Sequence, residues 1–414
     1  MLKNTGAFLG KTIFVTGASR GIGKAIIMKM AKDGANVVIA AKTTEKHSKL
    51  EGTIFTAAKE VEDVGGKALP VKCDIRDEEN VISAVNEAVK KFGAIDIVIN
   101  NASAISLTTT EDTTMKKYDL MNQINTRGTY MTSKYCIEHL KKSSNPHILT
   151  LSPPLEMKPH WFGRHLAYTI SKYGMSLCVL GLSDELKEFG IGVNALWPRT
   201  AIWTAAMNML GGGQSEMANL CRNVDIMADS AYAILSKDSK TCTGNFFIDE
   251  EVLRNEGITD FSPYAIKQGS ELLADFFIPE YLMKGLTVNF DQNPESSTSS
   301  ASTSNDNDVA KVFEKIPSLL NDQMRKDLNA SLVFVVSDRI FIIDTNSPEM
   351  LKLDVKEMPP HSDVTMITDN ETFIKMSSGK LKSTNAFMAG KLKIKGNLSL
   401  AMKVGKIFDA LQKM

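Results

Sequence analysis

Two short stretches place a tyrosine four residues ahead of a lysine: YTISK at 168–172 and YMTSK at 130–134. A free phenol has a pKa of about 10, too high for ready proton transfer near neutrality, but a nearby ammonium stabilises the phenolate and draws that value down. Such a pair is a candidate acid/base couple for moving a proton on or off a substrate oxygen. Residues i and i+4 share a helix face, so both pairs have usable spacing. With eight tyrosines and 48 Lys and Arg among 414 residues, about one such pair arises by chance. Context separates them. Tyr168 follows Ser152, which closes the apolar run HILTLS, whereas Tyr130 follows NTRG and precedes that run, inside a crossover helix. Tyr168 is therefore read as the acid/base, with Lys172 beside it, and Tyr130 as structural.

The elements that must position these groups run from Lys11 to about Asp249. Short apolar, β-branched runs (TIFVT, NVVIAA, ALPVKCD, IDIVINN, HILTLS, IGVNALWP, NFFID) alternate with amphipathic helical stretches. That alternation predicts a parallel sheet with helices on both faces, a doubly wound α/β fold of Rossmann type. Ligands are then expected above the carboxyl ends of the strands.

The first strand leads into TGASRGIGKAI, a glycine turn followed by a helix start. Gly17, Gly21 and Gly23 allow a sharp turn, close approach of backbone to a pyrophosphate, and tight helix–strand packing. Free N–H groups at the helix amino terminus would face the phosphates. The second strand ends at Ala41-Lys42, where an acidic residue would bond the ribose hydroxyls of NAD. Lys42 there, and Arg20 in the turn, favour the 2′-phosphate of NADP, with NAD still open.

TGASRGIG (16–23), NNAS (100–103), Asn125 in NTRG, Ser152 and YTISK, in that order, resemble the short-chain dehydrogenase/reductase family over roughly the first 250 residues. The resemblance implies hydride transfer between a nicotinamide and a carbinol or carbonyl carbon without metal help. It implies Asn125, Ser152, Tyr168 and Lys172 as the catalytic set: Ser152 bonding the substrate oxygen, Lys172 also holding the nicotinamide ribose, Asn125 anchoring a water. Ser19, Arg20 and Ile22 of the turn would join the glycines at the cofactor, Asp74 and Asn100 would line the adenosine side, and Ile202 and Thr204 would contact the cofactor beyond the sixth strand. Two departures stand out. Ser152 is followed by Pro153-Pro154, and Pro198 is followed by Arg199 where the family commonly has glycine. The stretch TAAMNMLGGGQSEMANL, rich in Met and Gly, would suit a mobile lid over an apolar substrate.

Acidic and basic side chains balance at 48 each, so bulk charge gives no argument for nucleic acid. Five scattered cysteines without a CxxC pattern exclude a disulfide framework and a zinc knuckle. No apolar run reaches the roughly 20 residues of a membrane span, and no metal is expected.

Around 291–308 the text changes to DQNPESSTSSASTSNDND, which reads as a flexible linker. It separates a dehydrogenase-like region at 1–290 from a smaller α/β domain at 309–414. In residues 250–290, Phe276, Phe277 and Tyr281 could pack back on the first domain. Beyond the linker a helical stripe (Val312, Phe313, Ile316, Leu319, Leu320) should be kinked or ended by Pro317. Strands LVFVV, RIFIID, LKLDV and DVTMITD follow, then a helix near Thr372–Met376. KLKIKG alternates Leu392 and Ile394 against Lys391, Lys393 and Lys395. Leu398, Met402, Gly405, Phe408 and Leu411 form the apolar face of a last helix. GKL, AFMAGKLKIKG and that helix resemble a sterol carrier protein 2-type domain over the last 105 residues or so, which implies an apolar tunnel for acyl chains or sterols.

The expected protein is an oxidoreductase acting on a lipid carbonyl or hydroxyl, a fatty acyl derivative or steroid, coupled to a lipid-binding domain. A homo-oligomer is expected from the family's habits. A peroxisomal setting is expected, with mitochondrion or cytoplasm as alternatives; Gln412-Lys413-Met414 is only loosely like a peroxisomal address. The rival reading is a lipid carrier or regulator whose dehydrogenase domain binds cofactor but turns over little.

Overall fold

A computed structural model describes residues 1–45, 52–163, 165–210, 215–287, 306–320, 322–337, 339–347, 350–359, 362–381, 383–388, 392–396 and positions 400, 404 and 408. The chain divides into two compact units, Met1–Thr287 and Val288–Met414. Residues 291–305 of the expected linker lie outside the described residues, as do Lys391, Leu398, Met402, Gly405, Leu411 and the terminal Gln412-Lys413-Met414.

The first unit runs β1 (Thr12–Thr16), α1 (Gly21–Ala31), β2 (Asn36–Ala41), α2 (Ile54–Asp63), β3 (Lys67–Lys72), α3 (Glu78–Phe92) and β4 (Ile97–Asn100). It continues through α4 (Met115–Met121), a π-turn (Asn122–Arg127), α5 (Gly128–Leu140), β5 (His147–Thr150), α6 (Pro159–Phe162) and α7 (Leu166–Glu185). Then come β6 (Gly192–Trp197), α8 (Ala205–Leu210), α9 (Ser215–Ala218), α10 (Asp225–Leu235), β7 (Phe246–Ile248) and α11 (Asp249–Asn255). The seven strands form one parallel sheet in the order β3-β2-β1-β4-β5-β6-β7. Every residue of β1, β2, β4, β5 and β6 is buried, which is why these strands read as unbroken apolar runs.

Helix ends follow local chemistry. Asp77 accepts a hydrogen bond from Asn80 N–H at the start of α3, Lys90 and Lys91 complement its last turn, and Gly93 ends it at φ 80°. The strand order reverses between β1 and β4, and that switch point opens a cleft over the strand ends.

The second unit contains α12 (Asp306–Leu319), α13 (Asp322–Leu328), β8 (Ser331–Val336), β9 (Arg339–Asp344), β10 (Leu351–Lys352), β11 (Val364–Thr368), α14 (Asn370–Ser377), α15 (Ser383–Met388) and β12 (Leu392–Gly396). Its mixed sheet has the order β10-β9-β8-β11-β12, with β8 and β11 parallel. Phe313 stacks on Phe341 and Phe373 at 4.2 and 4.7 Å between centroids, and Phe408 is buried beside Phe373. Of the two effects expected of Pro317, a kink or an end, it does not itself end α12. It sits in the last turn, so its missing N–H costs one bond near a terminus, and the helix continues to Leu319. Among the described residues of the whole chain, no helix is long and apolar enough to cross a membrane.

Candidate active site

The glycine turn lies at the switch point. Gly17 and Gly21 have φ of 72° and 60°, conformations that side chains rarely adopt. A Cβ on Gly23 would fall 2.4 Å from Asn101 Nδ2, whereas one on Gly21 would meet only Thr204, at 3.8 Å. Asn101 locks the turn by donating to the carbonyls of Thr16 and Gly17 at 3.0 and 2.9 Å. So Gly23 serves internal packing, while Gly21 lines open space with Thr204 on its far side. Ser19 is buried, and Ile22 is half-buried against the core. Arg20, extended at the N-cap of α1, makes no side-chain cap there, and its Nη2 donates to Gly52 O at 2.8 Å.

Two cations meet one carboxylate near the ends of β2 and β3. Asp74 is gripped by Arg76 through 2.9 and 2.6 Å bonds and paired with Lys42 at 3.2 Å. Arg76 holds the Asp74 carboxyl well below the usual carboxylate range, with help from Lys42. Lys42 is exposed and Arg76 half-buried. Sequence reasoning passed over Arg76; its place two residues after Asp74 was the available signal.

Asn100, expected on the adenosine side, ends β4. Its side chain is 1 % exposed and donates to the hydroxyls of Ser133 (2.9 Å) and Thr150 (3.4 Å). These bonds brace β4 against α5 and β5, and among the described residues nothing bonds its Oδ1.

On the other side of the cleft stand the catalytic candidates. Asn125, fully buried in the π-turn, accepts from Ala104 N–H (2.7 Å) and donates to Ala104 O and Ser171 Oγ (both 2.9 Å). It thereby ties the loop after β4 to α7, and single π-turns often mark functional positions. Ser152, just past β5, is fully buried, and among the described residues nothing bonds its Oγ. An orphaned buried hydroxyl is costly unless a ligand oxygen or water completes it, so it fits a bound polar group. Lys172, 2 % exposed, donates to Leu151 O at 2.7 Å, approaches Met175 Sδ at 3.2 Å and lies 5.0 Å from the Trp197 ring centroid. Burial pushes its ammonium down to about 7, partly opposed by Asp275. Burial raises the Tyr168 phenol, and Asp275 adds to that. Tyr168 and Lys172 thus share the buried face of α7.

The other pair is elsewhere. Tyr130 is 53 % exposed on α5, and Lys134 turns to the Tyr135 hydroxyl at 3.5 Å. Of the residues beyond β6, Ile202 is buried and pairs with Arg222, and Thr204 faces Gly21. The Met-rich stretch forms α8 and α9, with Met217 and Ala218 buried, and residues 211–214 lie outside the described residues. Tyr281 stays 70 % exposed, but Phe276 and Phe277 do pack on the first unit. Asp275 beside them had no motif to announce it; the adjoining aromatic cluster was the only signal.

A seven-stranded parallel sheet, a glycine turn at its switch point and a buried Tyr-x-x-x-Lys face behind a free serine hydroxyl define a nicotinamide-dependent dehydrogenase. Residues 11–210 match the short chain dehydrogenase family, and residues 310–409 match the SCP-2 sterol transfer family. Hydroxysteroid dehydrogenase-like protein 2 of Danio rerio is 52% identical over 418 residues, covering 100% of this chain and 99% of that protein. The Homo sapiens protein of that name is 51% identical over 419 residues, covering 99% of each. A solved dehydrogenase from Xanthomonas campestris is 51% identical with a TM-score of 0.64, covering 66% of this chain and 99% of its own. The chain belongs to the hydroxysteroid dehydrogenase-like protein 2 family: a short-chain oxidoreductase of the class that uses NAD or NADP, fused to a sterol carrier domain.

Proposed function

We propose that the protein is an NADP-preferring dehydrogenase/reductase acting on a lipid carbonyl or alcohol, a fatty acyl derivative or a steroid. Its C-terminal unit would hold such a lipid close to the catalytic unit, tethering raising the local concentration. The observation that carries this reading is the unpartnered Ser152 hydroxyl, buried at the end of β5, with Tyr168 and Lys172 on the buried face of α7. Support for the 2′-phosphate comes from Arg20, Lys42 and Arg76 near an end of β2 that carries no acidic residue.

When bound, the nicotinamide would supply or accept the hydride. Gly21, Ser19, Ile22 and the α1 amino terminus would hold the phosphates, with Gly17 and Gly23 shaping the turn and Ile202 and Thr204 opposite. Ser152 Oγ would fix the substrate oxygen. Tyr168 would move the proton at that oxygen, with Lys172 and the bound nicotinamide supplying the positive charge that would offset the burial of its phenolate. Asn125 would keep the loop after β4 in register with α7. Relatives named for hydroxysteroids support an alcohol or ketone on an apolar skeleton.

The test is NADPH consumption against a panel of fatty acyl ketones, retinoids and ketosteroids. Tyr168→Phe should lose about 10²–10⁴-fold in kcat, the usual worth of a positioned acid/base, whereas Tyr130→Phe should keep wild-type turnover. Tight binding of NADPH and lipid by wild type without turnover of any substrate would favour the carrier reading.

A further inference from the structure

After the last strand of its sheet the first unit returns to its own cleft. Ala201 N–H donates to Leu273 O at 2.8 Å, Asp275 N–H to Arg199 O at 3.1 Å, and Trp197 Nε1 to Phe276 O at 2.7 Å. Phe277 is buried at φ 64°, left-handed backbone for a bulky residue, with its ring centroid 6.1 Å from Tyr168 and 5.3 Å from Trp161 and Tyr173. Strain of this kind persists only where the surroundings over-determine it.

Arg199 is one of those surroundings. Its Nε and Nη2 donate to the carbonyls of Leu282 and Lys284 at 2.8 and 2.9 Å, and its Nη1 pairs with Glu250 at 2.7 Å. The residue that replaces the family's glycine is thus a clamp on residues 275–284. Its guanidinium is directed there and to Glu250, while the Asp275 carboxylate accepts from Phe276 N–H at 2.7 Å.

The groups acting on the Asp275 carboxyl are the Phe276 N–H, Lys172 of α7 and Asp249 at the start of α11, and Asp275 in turn acts on Tyr168 of α7 and Cys221 after α9. Lys172 is the attractive charge. Burial, with repulsion from Asp249, pushes the Asp275 carboxyl up to about 8, opposed first by the Phe276 N–H bond and then by Lys172. Asp249 is itself committed elsewhere, accepting from Arg199 N–H at 2.9 Å and Glu250 N–H at 2.6 Å.

We propose that Asp275, on the segment whose Phe276 carbonyl bonds Trp197 and whose Phe277 ring packs on Tyr168, is a further functional residue of the site, its anion favouring the oxidised, positively charged nicotinamide over the reduced one. This rests on the cofactor reading above. A positive ring brought near an acid draws off its proton, so the oxidised cofactor should bind with proton release and the neutral reduced ring without it.

The test uses the full-length protein and needs no substrate. Dissociation constants of NADP⁺ and NADPH, which share the same phosphates, are measured from pH 6 to 9 for wild type, Asp275→Asn and Asp275→Glu. In wild type the preference for NADP⁺ should rise by about tenfold, the worth of one unit of pKa. In Asp275→Asn the rise should shrink at least threefold, leaving the contribution of Lys172, and Asp275→Glu should restore it. Calorimetry of wild type in buffers of different ionisation enthalpy gives a second readout: proton release near pH 7.5 with NADP⁺ that exceeds that with NADPH. Equal slopes in wild type and Asp275→Asn, or equal proton release by the two forms, would overturn the proposal alone. Failure of wild type to bind either dinucleotide would overturn it together with the cofactor reading.

Discussion

Adding one methyl group at Gly23 separates internal packing from cofactor contact. The new Cβ would stand 2.4 Å from Asn101 Nδ2 and 3.1 Å from Gly17 O, so Asn101 must leave its place. Doing so breaks its bonds to Thr16 O and Gly17 O. Two hydrogen bonds at about 1 kcal/mol each, plus mild overpacking, give about 2–3 kcal/mol. For a unit of this size that is a fall of roughly 4–10 °C in Tm. Gly21→Ala places its methyl in open space facing Thr204 and bears chiefly the left-handed backbone cost of about 1–2 kcal/mol. Gly23→Ala should therefore melt lower than Gly21→Ala, whereas Gly21→Ala should lose more dinucleotide affinity per degree of melting lost. Calorimetric melts with a fluorescence titration of NADPH measure both. A Gly23→Ala protein that melts within a degree of wild type would refute the packing role of Asn101, and equal affinity losses would refute the division of labour.

Arg199→Ala removes an ion pair and two carbonyl contacts but leaves Glu250 with Arg222 and Arg254, so a loss of about 2–4 kcal/mol in urea melts is expected. Limited proteolysis should cut new sites within 275–287, and an unchanged digest would sink the clamp. Acid stability should fall in two stages. His147 is fully buried, bonded through Nε2 to Lys237 O, and burial depresses its imidazole to about 4, so the stability it contributes is complete above pH 6.5 and is lost as pH falls toward 4. Glu250, held down to about 2 by its three arginines against burial, contributes stability above its ordinary value of 4.5 that is lost as pH falls toward 2. Chemical melts of His147→Asn across pH 4–7 should lack the first stage, worth about 2–3 kcal/mol; an identical curve would refute the assignment.

Much of this architecture was legible because the signals are local. Each strand of the large sheet is a short apolar run between helical stretches, and the glycine turn announces itself between strand and helix. Tyr168 was separable from Tyr130 because a strand-end serine precedes only one of them. Roles that depend on which way a side chain turns were not legible. Asn100 sits at the expected strand end, but nothing in that position announces its bonds to Ser133 and Thr150. Asp275 and Arg199 meet across some 75 residues of sequence, through backbone bonds and a clamp that no periodicity encodes. Pro317 shows the converse: the residue is plain in the sequence, but its effect depends on standing in the last turn.

The order of these parts along the chain also sets an order in time. On the ribosome the sheet has all seven strands once Ile248 has emerged, but Asp275 and the carbonyls gripped by Arg199 appear only afterwards. For that interval the nascent protein has a finished cofactor turn and an unwalled cleft, with the aromatic faces of Trp161, Tyr168, Tyr173 and Trp197 lacking the ring of Phe277. The catalytic chamber is thus closed last, just before synthesis reaches the second unit, and a nascent chain halted between Ile248 and Phe277 would present sticky aromatic surface to the cell's quality control.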